Sequence, residues 1–158
     1  MKKTAFVFAV SAALLSSAAS RADGFTCRTQ DESLKLAVYN ITDANHGTRN
    51  ASTMVISDPA VGYGRKTIAR FSDLNETLTN IGATYEARVD LRFNDSGRKG
   101  ELIGGTKLGQ LKSIVLDVEF NYSRPVLSGT ELPATVTLVK RNGETVSLGA
   151  ICARYLKN

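Results

Sequence analysis

Side chains with intrinsic reactivity are scarce in this chain: one histidine, His46, and two cysteines, Cys27 and Cys152. His46 lies in the segment Thr42-Asp43-Ala44-Asn45-His46-Gly47-Thr48, where Asp43 is placed to orient an imidazole acting as general base. That chemistry also needs a nucleophile, and the sequence has no Gly-x-Ser-x-Gly elbow, so His46 reads as a turn histidine. The run from Gly100 to Lys107 approaches a phosphate-binding loop, but Thr106 and Lys107 stand in the reverse order and no βαβ pattern surrounds them. A glycine-rich β-turn is the better reading. Gly62-Tyr63-Gly64 lacks the third glycine and the following helix of a dinucleotide fingerprint. Asp90, Asp117 and Glu119 are candidate carboxylates for glycoside chemistry, which needs two of them facing each other across a cleft. Each alternates with apolar residues, which puts it on a solvated sheet face with Arg88 and Arg92 as natural partners. Asp73, Asn75 and Thr77 space their oxygens as a calcium loop does, without its central glycine or closing glutamate. No catalytic residue, metal ligand set or cofactor is assigned.

Binding is a different matter, because connecting loops on a rigid sheet present side chains without having to form the core. The candidates are His46, Arg49, Tyr63, Arg65, Lys66, Arg98 and Lys99, all in Gly- or Pro-bearing connections or at strand ends. The basic pairs Arg65-Lys66 and Arg98-Lys99 favour an anionic partner, either a protein or a component of a cell envelope. Asn-x-Ser/Thr triplets begin at Asn40, Asn50, Asn75, Asn94 and Asn121 and are read as compositional.

The elements that must carry these loops are strands. From Thr84 to Phe93, Tyr85, Ala87, Val89, Leu91 and Phe93 alternate with polar residues, and from Ile114 to Tyr122 the pattern recurs. Leu34 to Val38 and Thr53 to Ser57 read as shorter strands, and Phe25 to Thr29, Lys66 to Phe71 and Glu101 to Ile103 as weaker ones. Val136 to Lys140 and Thr145 to Leu148 flank Asn142-Gly143, a strong hairpin signal, with the last strand extending through Cys152 to Tyr155. The segment from Ser72 to Gly82 reads as a connection with a short helical turn between Asp73 and Asn80. The expectation is one antiparallel all-β domain over residues 23–158, a β-sandwich or small β-barrel of about eight or nine strands.

Residues 1–22 have the layout of a secretory signal peptide: Lys2 and Lys3, an apolar run from Ala5 to Leu15, then small residues up to Ala22, with cleavage after Ser20 or Ala22. The opening Met-Lys-Lys-Thr-Ala resembles the signal peptides of bacterial exported and outer-membrane proteins, a resemblance confined to the leader. It implies a periplasmic or secreted protein. Losing Lys2, Lys3 and Arg21 takes the basic count from 20 to 17 against 15 acidic residues, a balance of about +2 with no dense basic face for nucleic acid. In an oxidising compartment Cys27 and Cys152, separated by 152 − 27 = 125 residues, are expected to pair and tie the termini together. These features together suggest an exported, non-catalytic β-domain that binds through its loops. The alternatives are a small outer-membrane β-barrel or an inhibitor of an envelope-directed hydrolase. Against a membrane barrel, the chain has no Trp and ends in Leu156-Lys157-Asn158 rather than an aromatic residue.

Overall fold

The computed structural model describes residues 23–39, 41, 52–61, 66–72, 74–79, 84–92, 99–121 and 126–156. Among the described residues eleven strands are formed: β1 (Asp23–Thr29), β2 (Lys35–Tyr39), β3 (Thr53–Ser57), β4 (Thr67–Ser72), β5 (Asn75–Thr79), β6 (Thr84–Asp90), β7 (Leu102–Ile103), β8 (Thr106–Lys107), β9 (Leu111–Glu119), β10 (Glu131–Lys140) and β11 (Thr145–Leu156). Nine of them make one antiparallel sheet in the order β4-β3-β2-β1-β11-β10-β9-β6-β5, and β7 and β8 form a separate ribbon. Among the described residues the only helical element is the 3-10 turn Leu108–Gln110, and no helix is long and apolar enough to cross a membrane.

The strand order determines how the sheet closes. Neighbours alternate in direction, so β4 and β5, at opposite edges of a nine-strand order, run the same way. Only Asp73 and Leu74 separate them in sequence, too few residues to reverse the chain and carry it back along the sheet. β4 and β5 are therefore two halves of one strand that leaves the ladder of β3 and joins that of β6. The sheet curls until its edges share this strand, giving an up-and-down barrel of eight strands with the first and last paired. The small-barrel form of the expected all-β fold is the one adopted.

Alternation fills the interior. Phe25, Leu36, Val38, Met54, Ile56, Tyr85, Ala87, Ile114, Leu116, Val118, Val136 and Leu138 are all fully buried and occupy every second position of their strands. The rings of Phe25, Tyr85 and Phe120 meet with centroids 5.2 Å apart in each Phe25 pair. A Cβ on Gly24 would lie 1.8 Å from the Val38 carbonyl oxygen, so glycine is what lets β1 and β2 approach there. Cys27 and Cys152 face each other in the β1–β11 register, form a disulfide and are buried. The expected clasp is thus present inside the barrel wall, joining its first strand to its last.

The hairpin at Asn142-Gly143 forms as expected, though only Gly143 takes a positive φ, of 91°. Consecutive positive φ values occur instead at Gly104 (52°) and Gly105 (75°), the tight turn of the β7–β8 ribbon, which is the glycine-rich turn expected there. The helical turn expected between Asp73 and Asn80 is corrected: Asn75–Thr79 is strand β5. Its inward position 76 carries a glutamate, so the apolar alternation that marks other strands is missing there. The strand read as Val136 to Lys140 starts earlier, because β10 begins at Glu131 and includes Pro133.

Candidate functional site

Where β4 parts from β6 the barrel wall opens into a groove of about 570 Å³. Its lining comes from the end of β4 (Arg70, Phe71, Ser72), the crossing segment (Leu74, Asn75) and the end of β6 (Arg88, Val89, Asp90, with Arg92 beyond). Register explains the division of labour. Phe71 lies opposite Met54, and Val89 opposite Ile114, so both belong to the inward set, whereas Arg70 opposite Val55 and Arg88 opposite Val115 belong to the outward one. The groove therefore has an apolar floor and a rim of guanidinium groups. Arg88 donates through Nε to Asp90 Oδ1 at 2.9 Å, and Asn75 Nδ2 reaches Asp90 Oδ2 at 3.5 Å. Among the described residues the lining holds three arginines and Asp90, which is engaged by Arg88.

Other charged groups serve the framework. A second cavity, of about 410 Å³, lies under the β10–β11 hairpin. There Arg141 donates to the carbonyls of Leu91 (3.2 Å) and Gly109 (3.4 Å), and Lys140 pairs with Glu144 at 3.0 Å. Lys140 holds the Glu144 carboxyl below its ordinary pKa. Inside the barrel, the buried Tyr85 hydroxyl donates to Glu76 Oε1 at 2.6 Å. At the open end of β1, the Arg154 guanidinium donates to the carboxylate of Asp23 and sits 5.0 Å from the Phe25 ring centre and 4.5 Å from that of Phe120.

Of the loop candidates, Lys66 and Lys99 fall within the described residues, while His46, Arg49, Tyr63, Arg65 and Arg98 lie outside them. Lys66 immediately precedes β4 and binds Asp58 at 2.6 Å, and this hydrogen bond holds the Asp58 carboxyl below its usual range. Its charge is thereby compensated across the β3–β4 turn. The Lys99 carbonyl accepts the Gly109 amide at 3.0 Å, tying the start of the ribbon segment to the 3-10 turn.

Glu86 and Asp117 stand directly opposite each other on β6 and β9. Partial burial, and then the charge of Glu86, raise the Asp117 pKa above 3.8. Because the folded value lies above the unfolded one, ionised Asp117 opposes folding at neutral pH, and this penalty fades as pH falls through the raised value. Asp117→Asn is expected to gain a few tenths of a kcal/mol at pH 7, a modest figure because solvent screens the pair. Urea melts should show that gain shrinking toward pH 4, and a loss of stability at pH 7 would contradict it.

The arginine rim was not singled out in the sequence. Arg88 and Arg92 read there as partners of nearby carboxylates, which the Arg88–Asp90 pair bears out, and Arg70 drew no attention. Only the shared strand brings β4 beside β6, and its signal is the inverted alternation after Phe71. Comparison of the chain with protein-family models, with curated protein sequences and with solved structures returns no match.

Proposed function

We propose that this chain is an exported, non-catalytic binding domain of the periplasm or the extracellular medium, which engages an anionic envelope component or protein through its outer surface and loops. The observation that carries this reading is the partition of the barrel. Its described interior is largely apolar and holds the disulfide, the buried Arg154 being neutralised by Asp23, while Arg70, Arg88 and Arg92 line the seam groove. The disulfide is consistent with an oxidising compartment, and the leader supplies the route to one.

Eight-strand closure is also the architecture of the smallest outer-membrane barrels, which makes that reading the strongest competitor. A membrane barrel needs an apolar outer band, whereas here Arg28, Lys35, Glu86, Arg88, Asp117 and Glu119 occupy outward strand positions. Placing even one such charge at mid-bilayer costs about 2–4 kcal/mol for Arg or Lys. This outward charge favours the water-exposed reading.

The test is sedimentation of the purified mature protein with isolated envelope fragments. Saturable co-sedimentation that is weakened by high salt is the expected result. A protein that stays in the supernatant at every fragment concentration would overturn the binding role.

A further inference from the structure

The β10–β11 hairpin carries a reactive pair of residues that its part in the fold leaves unused. Asn142 is the chain's one asparagine followed by glycine, and both residues of the pair are exposed. The Lys140 amide donates to the Glu144 carbonyl at 2.8 Å, so Arg141, Asn142 and Gly143 form the tip of the loop. Arg141 ties that tip to the neighbouring segments: its amide donates to the Gln110 carbonyl at 2.9 Å and its guanidinium to the carbonyls of Leu91 and Gly109. The Asn142 side chain folds along the chain, and the Glu144 amide donates to Asn142 Oδ1 at 3.1 Å. A Cβ built on Gly143 would meet nothing within 4 Å, so the space beside this residue is open.

From this geometry we propose that Asn142 is a site of spontaneous deamidation in the folded protein. The Gly143 nitrogen loses its proton to solvent base and attacks Asn142 Cγ, an intramolecular step in which nucleophile and carbonyl belong to adjacent residues. A bond forms between the Gly143 nitrogen and Cγ, the bond from Cγ to Nδ2 breaks, and the leaving nitrogen takes up a proton and departs as ammonia. Water then opens the succinimide ring, at Cγ to leave aspartate or at the main-chain carbonyl to leave isoaspartate. Negative charge builds on Oδ1 during the attack, and the Glu144 amide already donates to that atom, so the hairpin holds a donor where the oxyanion develops. The Gly143 amide donates to the Lys140 carbonyl at 3.1 Å, which acts against loss of its proton, but a hydrogen bond at an exposed loop tip opens readily. Glycine leaves the attack unhindered because it has no Cβ beside the nitrogen. Both products add a negative charge to the hairpin. Aspartate keeps an oxygen for the Glu144 amide, whereas isoaspartate lengthens the main chain of the loop and shifts the contacts of Arg141. The site is independent of the binding role proposed above.

Incubation of the purified protein in mildly alkaline buffer made with water enriched in heavy oxygen, followed by peptide mapping, tests it. The heavy oxygen should appear in a new carboxylate at residue 142, divided between aspartate and isoaspartate, before any other asparagine is converted. The native rate should be no more than about fivefold below that of the same chain unfolded in urea, because the two hydrogen bonds act in opposite senses and each is weak at an exposed tip. Asn142→Gln, whose longer side chain would have to close a larger ring, should take up no label there in the same interval. Gly143→Ala sets a methyl group beside the attacking nitrogen and should slow conversion severalfold in the unfolded chain, where the strain of its positive φ of 91° plays no part. Absence of label at residue 142 of the native protein while the unfolded chain is converted overturns the site. A native rate lowered beyond fivefold, or an earlier label at another asparagine, overturns it as well.

Discussion

Replacing both cysteines, as Cys27→Ala with Cys152→Ala, is expected to cost about 3–5 kcal/mol of folding stability. The bond spans 125 residues, so in the chain-entropy argument it removes nearly as much freedom from the unfolded chain as a single bridge in a domain of this size can. Its position adds to the cost. Both sulfurs sit in the packed interior between β1 and β11, the pair whose ladder closes the barrel, so truncation also leaves a void at that junction. For a domain of this length the loss corresponds to a fall in Tm of about 10–15 °C. Because the bond is buried, a mild reductant should act on the native protein only as fast as the barrel opens. Urea melts followed by circular dichroism check the first expectation, and a double variant within about 1 kcal/mol of the native protein would show that the ladder alone closes the barrel.

Breaking the Asp23–Arg154 pair is the second large effect. The Arg154 side chain is only 6% exposed, packed between the rings of Phe25 and Phe120, and it also donates to the Gly24 carbonyl at 3.5 Å. A guanidinium so enclosed has few partners other than Asp23. Asp23→Asn leaves that charge without its counter-ion and is expected to cost about 3 kcal/mol. Arg154→Met removes the charge and keeps much of the volume, and combining it with Asp23→Asn should restore part of the loss, because a neutral pair needs no desolvated charge. Thermal melts of the two single variants and the double variant measure the coupling, and strictly additive losses would mean that the pair is energetically silent.

Much of this arrangement could be read from the sequence wherever inward positions are uniformly apolar. Tyr85, Ala87 and Val89 on one strand and Ile114, Leu116 and Val118 on another gave their strands and their inward faces directly, because a two-residue period has no helical counterpart. The pairing of Cys27 with Cys152 followed from their being the chain's two cysteines and from the oxidising compartment expected for it. Polar groups placed inward hid the rest. Glu76, which accepts the Tyr85 hydroxyl, breaks the pattern of β5 and made that strand resemble a loop. Arg154 faces inward in β11 although its type favours the surface, since it is neutralised by Asp23 and covered by two rings. The arginine groove was harder still to see. It depends on one strand crossing from the ladder of β3 to that of β6, a long-range relation that alternation within either half does not encode.

We propose that the chain is exported, processed and water-exposed, with its barrel clasped by the Cys27–Cys152 disulfide. Fractionation of cells making the untagged protein, followed by intact mass measurement with and without alkylation, tests it most directly. Recovery from the soluble periplasm or medium without detergent, a mass lacking residues 1–20 or 1–22, and no alkylation until the protein is unfolded and reduced are expected. Retention in membranes through a high-salt wash, or two thiols open to alkylation in the unfolded but unreduced protein, would contradict it.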